Sequence, residues 1–326
     1  MRRGTTAAFV AVAVAGGLLT GCTAGPSQVG AAAIVGNTVI PLESVQSWFD
    51  RVTADRERKE HARASGQFDD IGRLIATEAV RHELLRRAAE RENLHINEEQ
   101  VTQLLDRFGG PAGAVESQSQ TPGADWLLYD ETNIRDRVRD QLIELGLARK
   151  YYDSTRIKFH GLDVEKRDEA LDIARQMASD PGSIKHIIED ARNKGAAAGA
   201  DIQLSLSDSP REAARLPLFA APAGSAMVLA CQAMACVTNA AVWEVIYIEQ
   251  RESHAPPSAN QNKTDLSAVD KSDLAGIGQR LLAPLMQDVR VELNPRYGVW
   301  EPVSLEAAQN DGERKVTTFT ATSPRS

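Results

Sequence analysis

The chain has 326 residues, of which 42% are hydrophobic and 25% are charged, and its formal net charge is -8 at pH 7. This length corresponds to about two domains, and the composition is that of a globular protein with a hydrophobic core. The acidic balance and the lack of a long basic run exclude an extended nucleic-acid-binding face.

The N-terminus has the pattern of an export signal. The basic start "MRRG" is followed by the apolar run "TAAFVAVAVAGGLLTGC", which ends in small residues. This run is too short and too weakly flanked for a stable transmembrane helix, and it predicts a signal peptide over residues 1–21. An uncleaved membrane anchor is the alternative. Residues 22–31 are predicted to form a flexible tether.

The first folded elements are predicted to be a hairpin and a series of helices. A turn at Gly36-Asn37 separates two short extended runs within residues 33–40. Apolar residues at helical spacing then predict helices from Pro41 onward, interrupted by a polar loop at residues 111–123.

The second half of the chain alternates strands and helices. Arg156–Arg251 predicts a compact β-α-α-β-β unit, and a Pro/Ser/Asn-rich linker follows at residues 253–263. After one more helix, "VRVELNPRYGVWEP" predicts a short strand that ends at Asn294-Pro295. A lone strand is unstable in water, so this one needs a partner. The polar residues 304–326 are predicted to be disordered.

Two cysteines, Cys231 and Cys236, lie close together in "LACQAMACVT". An exported protein meets an oxidising compartment, so a disulfide across a tight hairpin is predicted. Two buried free thiols are the alternative. No metal site is expected, because no histidine lies near these cysteines and "RHELLRR" carries Arg86 where a zinc-binding helix needs a second histidine.

The sequence Leu19-Thr20-Gly21-Cys22 resembles the lipobox of bacterial lipoproteins. The resemblance implies a diacylglycerol thioether on Cys22 and cleavage just before it. Only a thiolate can attack the lipid donor, and two or three acyl chains such as palmitate give stable anchoring. The expected location is the extracytoplasmic face of the bacterial cell membrane.

Four segments, "AAIVGNTVIPLESV", "HINEEQVTQLL", "RDRVRDQLI" and "VELNPRYGVWEP", resemble in their order the SurA-like and PrsA-like extracytoplasmic foldase lipoproteins of actinobacterial type. The resemblance implies an α+β fold. Residues 32–152 plus 264–303 would form a mostly helical, discontinuous chaperone domain with a short β element. An α/β domain would be inserted at residues 153–252. The late strand would then pair with the hairpin at Ala33–Ile40.

The inserted segment resembles a parvulin-type prolyl isomerase in "GADIQLSL", "LPLFAAPAGSAMVL" and "AVWEVIYIEQR". That family surrounds an apolar proline pocket with two histidines and a cysteine or aspartate. The corresponding positions here hold His160, Asn193 and Glu244. His160 is also one residue out of register, and an ordinary strand-end histidine is the alternative. The departures predict a degenerate parvulin-like domain with little or no isomerase activity.

Together these resemblances imply a membrane-anchored chaperone or foldase-like lipoprotein. Its partners would be unfolded or nascent exported polypeptides, bound in an apolar groove without a cofactor. Two alternatives remain: an active prolyl isomerase of the same fold and a non-catalytic envelope adaptor.

Overall fold

The computed structural model describes residues 30–119, 126–230, 243–256 and 265–320. The described part contains helices and several antiparallel sheets, which confirms the predicted α+β class.

The helices fall into two groups along the chain. Those of the first half are α1 (Leu42–Ala54), α2 (Arg56–Ala64), α3 (Ile71–Glu92), α4 (Glu98–Asp106), α5 (Pro111–Ser119) and α6 (Ile134–Tyr151). Those of the second half are α7 (Arg167–Ser179), α8 (Ile184–Asn193), α9 (Pro210–Arg215) and α10 (Lys271–Leu285).

The strands also divide into an early pair and a later set. The strands are β1 (Ala31–Val35), β2 (Thr38–Pro41), β3 (Arg156–Val164), β4 (Ala198–Ser205), β5 (Ser225–Ala230), β6 (Trp243–Glu252), β7 (Val291–Leu293), β8 (Val299–Glu301), β9 (Glu306–Ala308) and β10 (Val316–Thr320). They form a three-stranded, a five-stranded and a two-stranded sheet.

The small sheet joins the two ends of the helical part, in the order β2-β1-β7. Ala33 lies opposite Leu293 in an antiparallel register. Beyond the ladder, the backbone N–H of Asn294 donates to Ala32 O at 2.9 Å, and its side-chain Nδ2 donates to Ala31 O at 2.8 Å. The predicted partner of the late strand is therefore confirmed.

Helix α3 contacts both this sheet and the segment that follows β7. Arg87 Nη2 donates to Val35 O at 3.0 Å and to Thr38 Oγ1 at 2.8 Å. At the other end of α3, the buried Tyr297 ring lies against Gly72, where an added Cβ would meet the ring at 3.5 Å. The segment after β7 therefore covers part of the helical core.

The five-stranded sheet has the order β10-β5-β6-β3-β4, with every neighbouring pair antiparallel. Helices α7 and α8 cover one face and form a small core with residues such as Leu162 and Val245. The other face, which includes Phe159 and Ile246, shares a continuous core with α3, α6 and α10. The α/β unit is thus packed directly onto the helical part.

The prediction of disorder over residues 304–326 is wrong for residues 304–320. Strand β9 pairs with β8, and β10 adds an outer strand to β5, with Val316 opposite Leu229. Val316 is buried in the larger core and Phe319 packs on the α7 side. This β-branched and aromatic strand was obscured by its polar neighbours, and it is stable only because a distant edge is available to it.

The predicted polar loop at residues 111–123 is also corrected, since α5 occupies its first part. Pro111 stands at the first helical position, where a missing N–H costs nothing. Ala114 is buried and Val115 packs against the larger core. Two apolar residues on one face are enough here because α4 and α6 lie beside the helix.

Helices α6 and α10 cross at very short range. A Cβ added to Gly278 would lie 1.9 Å from the Glu144 backbone oxygen, a distance that no side chain can occupy. The two backbones meet at this point because glycine leaves the space open.

We expect Gly278→Ala to lower the free energy of unfolding by at least about 2 kcal/mol, because the helices must separate. Gly72→Ala in α3 is the matched control. Its Cβ makes only ordinary contact with Tyr297, so helix propensity should leave it neutral or stabilising by up to about 1 kcal/mol. Urea unfolding of both variants measures the difference. Equal effects would contradict the close crossing.

Candidate functional site

His160 lies on β3 between two β-bulges. One bulge inserts Glu249 into β6, and the other adds a residue to β4 near Asp201. The His160 Nε2 atom lies 3.0 Å from Glu249 Oε2, and its Nδ1 accepts the backbone N–H of Asp201 at 3.3 Å. These contacts fix the tautomer with a proton on Nε2. The side chain is only 4% exposed, so its ring cannot reach a substrate in solution.

The carboxylates beside His160 belong to an ion-pair network. Lys158 Nζ lies 2.6 Å from Asp201 Oδ1 and 2.9 Å from Glu249 Oε2, and Lys185 Nζ lies 3.1 Å from Asp201 Oδ2. Hydrogen bonds from Lys158 and Lys185 lower the pKa of Asp201 to about 2. The possible ligand atoms of His160, Asp201 and Glu249 lie within 4.8 Å of one another. However, the Lys158 ammonium already supplies the positive charge, so the donor set fits an ion pair better than a metal.

Glu244 occupies the other face of the sheet. It lies opposite Asp163 in the β3–β6 register, and its neighbour on that face, Ile246, belongs to the core shared with the helices. His160 lies opposite Tyr247, which packs on the α7 side. Burial, with a smaller contribution from the Asp163 charge, raises the pKa of Glu244 to about 7. The structure therefore separates His160 and Glu244 rather than bringing them together.

The remaining predicted site residues do not join this cluster. Asn193 is the exposed last residue of α8. Cys22, Cys231 and Cys236 lie outside the described residues. The lipid site and the disulfide therefore stay predictions.

A second candidate site is a crevice of about 280 Å³ between β2, α1, α3 and α6. Its apolar side is formed by Val39, Ile40, Pro41, Val45 and Trp48. Val39 is 41% exposed, so this part of the apolar side is accessible to solvent. The indole N–H of Trp48 donates to a backbone carbonyl, which fixes the orientation of the ring.

The opposite side of the crevice is polar, and its charged groups are paired with one another or with neighbouring arginines. Glu78 accepts from Tyr129 Oη at 2.7 Å and from Arg81 Nη1 at 2.7 Å. His82 Nδ1 lies 2.9 Å from Asp140 Oδ1. Because α3 supplies Glu78 and His82 one helical turn apart, both side chains point toward α6.

These groups have shifted pKa values. Burial would raise the pKa of Glu78, but the Arg81 and Arg137 charges and the Tyr129 hydrogen bond outweigh it and lower that pKa. The hydrogen bond that the His82 ring donates to the Asp140 carboxylate raises the pKa of His82. Deeper in the same layer, burial raises the pKa of Glu144. The Oε2 atom of this residue lies 3.3 Å from Arg137 Nη1.

No prediction from the sequence covered this polar layer, because "RHELLRR" was compared only with a zinc-binding pattern. The available signal was in the helical spacing. Glu78 lies three residues after the buried Ile75, and His82 lies three residues before the buried Leu85. Residues at this spacing share one helical face, so both charged residues lie on a face that is also used by the core. Charged residues inside an apolar helical stripe need partners on a neighbouring helix.

The chain matches no known protein-family model and no curated protein sequence. Among solved structures it is similar to the foldase protein PrsA from Lactococcus lactis, with 10% identity, a TM-score of 0.28, and coverage of 81% of this chain and 95% of that chain. It is also similar to the foldase protein PrsA from Streptococcus pneumoniae, with 11% identity, a TM-score of 0.22, and coverage of 80% and 94%. TM-scores this low do not establish a common fold.

Among the described helices, none combines the length and apolar character needed to cross a bilayer.

We expect Glu244→Gln to become progressively more stable than the parent chain as pH rises. The parent must ionise a half-buried carboxyl whose pKa is about 7 when folded and 4.5 in the reference state. The raised-pKa group contributes stability at low pH that is lost through this window, on the order of 2 kcal/mol by pH 8. Urea unfolding between pH 4.5 and 8 measures the difference.

Asp163→Asn serves as the control, because it removes the neighbouring charge and should lower the pKa of Glu244. The difference in unfolding free energy between Asp163→Asn and the double variant Asp163→Asn/Glu244→Gln should therefore be smaller than the difference between the parent chain and Glu244→Gln. If the unfolding free energies of the parent chain and of Glu244→Gln changed equally with pH, the prediction that burial raises the pKa of Glu244 would be wrong.

Proposed function

We propose that this protein is a membrane-anchored, extracytoplasmic chaperone or foldase-like lipoprotein that binds non-native exported polypeptides. The observation that carries the proposal is the crevice between β2, α1, α3 and α6, with an apolar wall next to the outer strand of the small sheet. A holdase needs only such a binding surface, because it acts by sequestering the unfolded state.

The proposal includes little or no prolyl isomerase activity. Support comes from His160, which is buried and held by Glu249 and Asp201, and from Glu244, which lies on the other sheet face. A catalytic cluster must bring its polar groups to one reacting bond. These residues do not share a surface.

The anchor and the location are proposed from the lipobox-like sequence that ends at Cys22. Gly30 immediately precedes β1, so residues 22–29 would connect the lipid to the small sheet. The crevice would then lie near the membrane surface from which exported chains emerge.

We expect Ser44→Trp to reduce the ability of the chain to suppress aggregation of an unrelated, heat-denatured client protein. Ser44 is exposed and lines the crevice, so an indole there would fill the cavity. Ser47→Trp is the matched control, since Ser47 is exposed on the same helix but does not line the crevice. Light scattering at several chain-to-client ratios measures protection.

Equal protection by both variants would place client binding elsewhere. A parent chain that protects no unrelated client would support the adaptor alternative instead. A protease-coupled proline-peptide assay on the same preparation tests the catalytic alternative, and turnover like that of an active parvulin would overturn the non-enzymatic part of the proposal.

We expect Cys22→Ser to prevent lipidation, because the serine hydroxyl is not ionised at neutral pH and cannot replace the thiolate. The parent chain, expressed in a lipoprotein-processing bacterium, should partition into the detergent phase and take up labelled fatty acid. The variant should do neither. Cys231→Ser is the control and should keep both properties. Labelling of the Cys22→Ser chain would exclude this attachment site.

A further inference from the structure

We propose that a cavity beside Arg251 binds a small monocarboxylate, whose carboxylate pairs with the Arg251 guanidinium and whose apolar part contacts a proline-containing wall. We call this space the Arg251 cavity. The inference goes beyond the proposed function and does not depend on it, because the described residues that line the Arg251 cavity are all different from those that line the crevice.

The Arg251 cavity lies where the α/β unit meets the helical part. Strand β6 supplies Arg251 near its end, the turn before β5 supplies Ala223, and α10 supplies Leu281. The volume is about 370 Å³. Sites for small ligands span roughly 300–1,000 Å³, so this cavity suits one small molecule.

The guanidinium of Arg251 is half-buried and only partly hydrogen-bonded. Its Nη1 donates to Phe219 O at 2.5 Å. Among the described residues, none accepts a hydrogen bond from its Nε or Nη2, and neither atom is sealed from the cavity. These two N–H groups lie on one edge of the guanidinium, where they match the two oxygen atoms of a carboxylate.

No carboxylate neutralises this charge within the part of the chain that the structure describes. Burial alone lowers the pKa of Arg251 to about 10, which still leaves the side chain protonated at neutral pH. The sequence outside the described ranges has one acidic side chain, Asp125, which follows α5 in the chain. By contrast, the charges of Glu306 and Glu301 partly oppose the effect of burial on Arg280. A buried charge without an opposite charge is costly, so a bound anion would relieve this cost at Arg251.

Two negative groups near the cavity already have partners of their own. The C-terminal end of α10 borders the cavity, and its carbonyl groups would repel an anion. However, Arg91 donates to Leu285 O at this end. The Tyr151 hydroxyl donates to Glu92 at 2.5 Å, and Lys150 Nζ lies 2.7 Å from the same carboxylate. Arg251 therefore remains the one charged side chain among the described residues of the lining.

The rest of the lining favours a small apolar group attached to the carboxylate. Helix α10 supplies Leu281, Pro284 and Leu285, and the turn before β5 supplies Pro222 and Ala223. One guanidinium balances one negative charge. A phosphate dianion would leave an excess charge beside these apolar side chains, whereas a monocarboxylate would not. The ligand class that fits is therefore a monocarboxylate with a compact apolar body.

Benzoate and benzamide provide the test, because they have nearly the same shape and differ in charge. Isothermal titration calorimetry of the full chain in an uncharged detergent gives the two dissociation constants. We expect benzoate to bind at least about tenfold more tightly than benzamide, as a charge-assisted pair requires. Inorganic phosphate should bind more weakly than benzoate.

Variants assign this preference to Arg251. Arg251→Met should reduce the preference for benzoate over benzamide to about twofold or less. Arg251→Lys keeps the charge but loses the paired N–H groups, so its preference should be intermediate. Arg156→Met is the matched control and should leave both affinities unchanged. It removes the same charge from the neighbouring strand β3, and Arg156 does not line the Arg251 cavity.

Urea unfolding separates ligand binding from a purely structural role of Arg251. Excess benzoate should stabilise the parent chain and Arg156→Met, because it binds only the folded state, and should not stabilise Arg251→Met.

Equal binding of benzoate and benzamide to the parent chain would overturn the proposal, and this comparison needs no variant. Unchanged benzoate affinity in Arg251→Met would overturn it as well. Tighter binding of phosphate than of benzoate would show that the ligand class is wrong.

Discussion

The fold depends on the pairing of β1 with β7, which brings together residues up to 263 positions apart. Strand β1 is the middle strand of its sheet, so its backbone groups are bonded on both sides. Its three alanines are buried and add almost no side-chain volume, which allows the sheet to lie close to α3. Without β7, β1 and β2 would be an isolated hairpin, which is at best marginally stable in water. The pairing therefore fixes both the helical core and the position of the crevice.

Between α3 and α6 the protein buries a layer of charged groups instead of apolar side chains. Burial of such groups is costly unless each one has partners. Here Glu78 bonds to Tyr129 and Arg81, and Asp140 bonds to His82. The His82–Asp140 hydrogen bond joins α3 to α6 directly and is directional, so it favours one relative position of the two helices. The layer also gives the crevice one polar wall facing one apolar wall, and a purely hydrophobic interface would not provide that contrast.

Local patterns were sufficient to predict some parts of this structure. Pro41 marked the start of α1, helical spacing predicted the stripes of α3 and α10, and the instability of a lone strand predicted a partner for β7. Other parts depend on distant residues. The segment at Val316 becomes a strand only because β5 offers an edge. The surroundings of His160 depend on two bulges, which single-sequence spacing does not reveal.

The position of β10 has a consequence for the order in which the sheet can form. A chain is synthesised from its N-terminus, so residues 316–320 become available only after the other four strands of this sheet. Until then, the outer edge of β5 has no partner in the five-stranded sheet, and an open edge invites pairing with other chains. A chain interrupted before residue 316 would therefore expose an aggregation-prone strand edge.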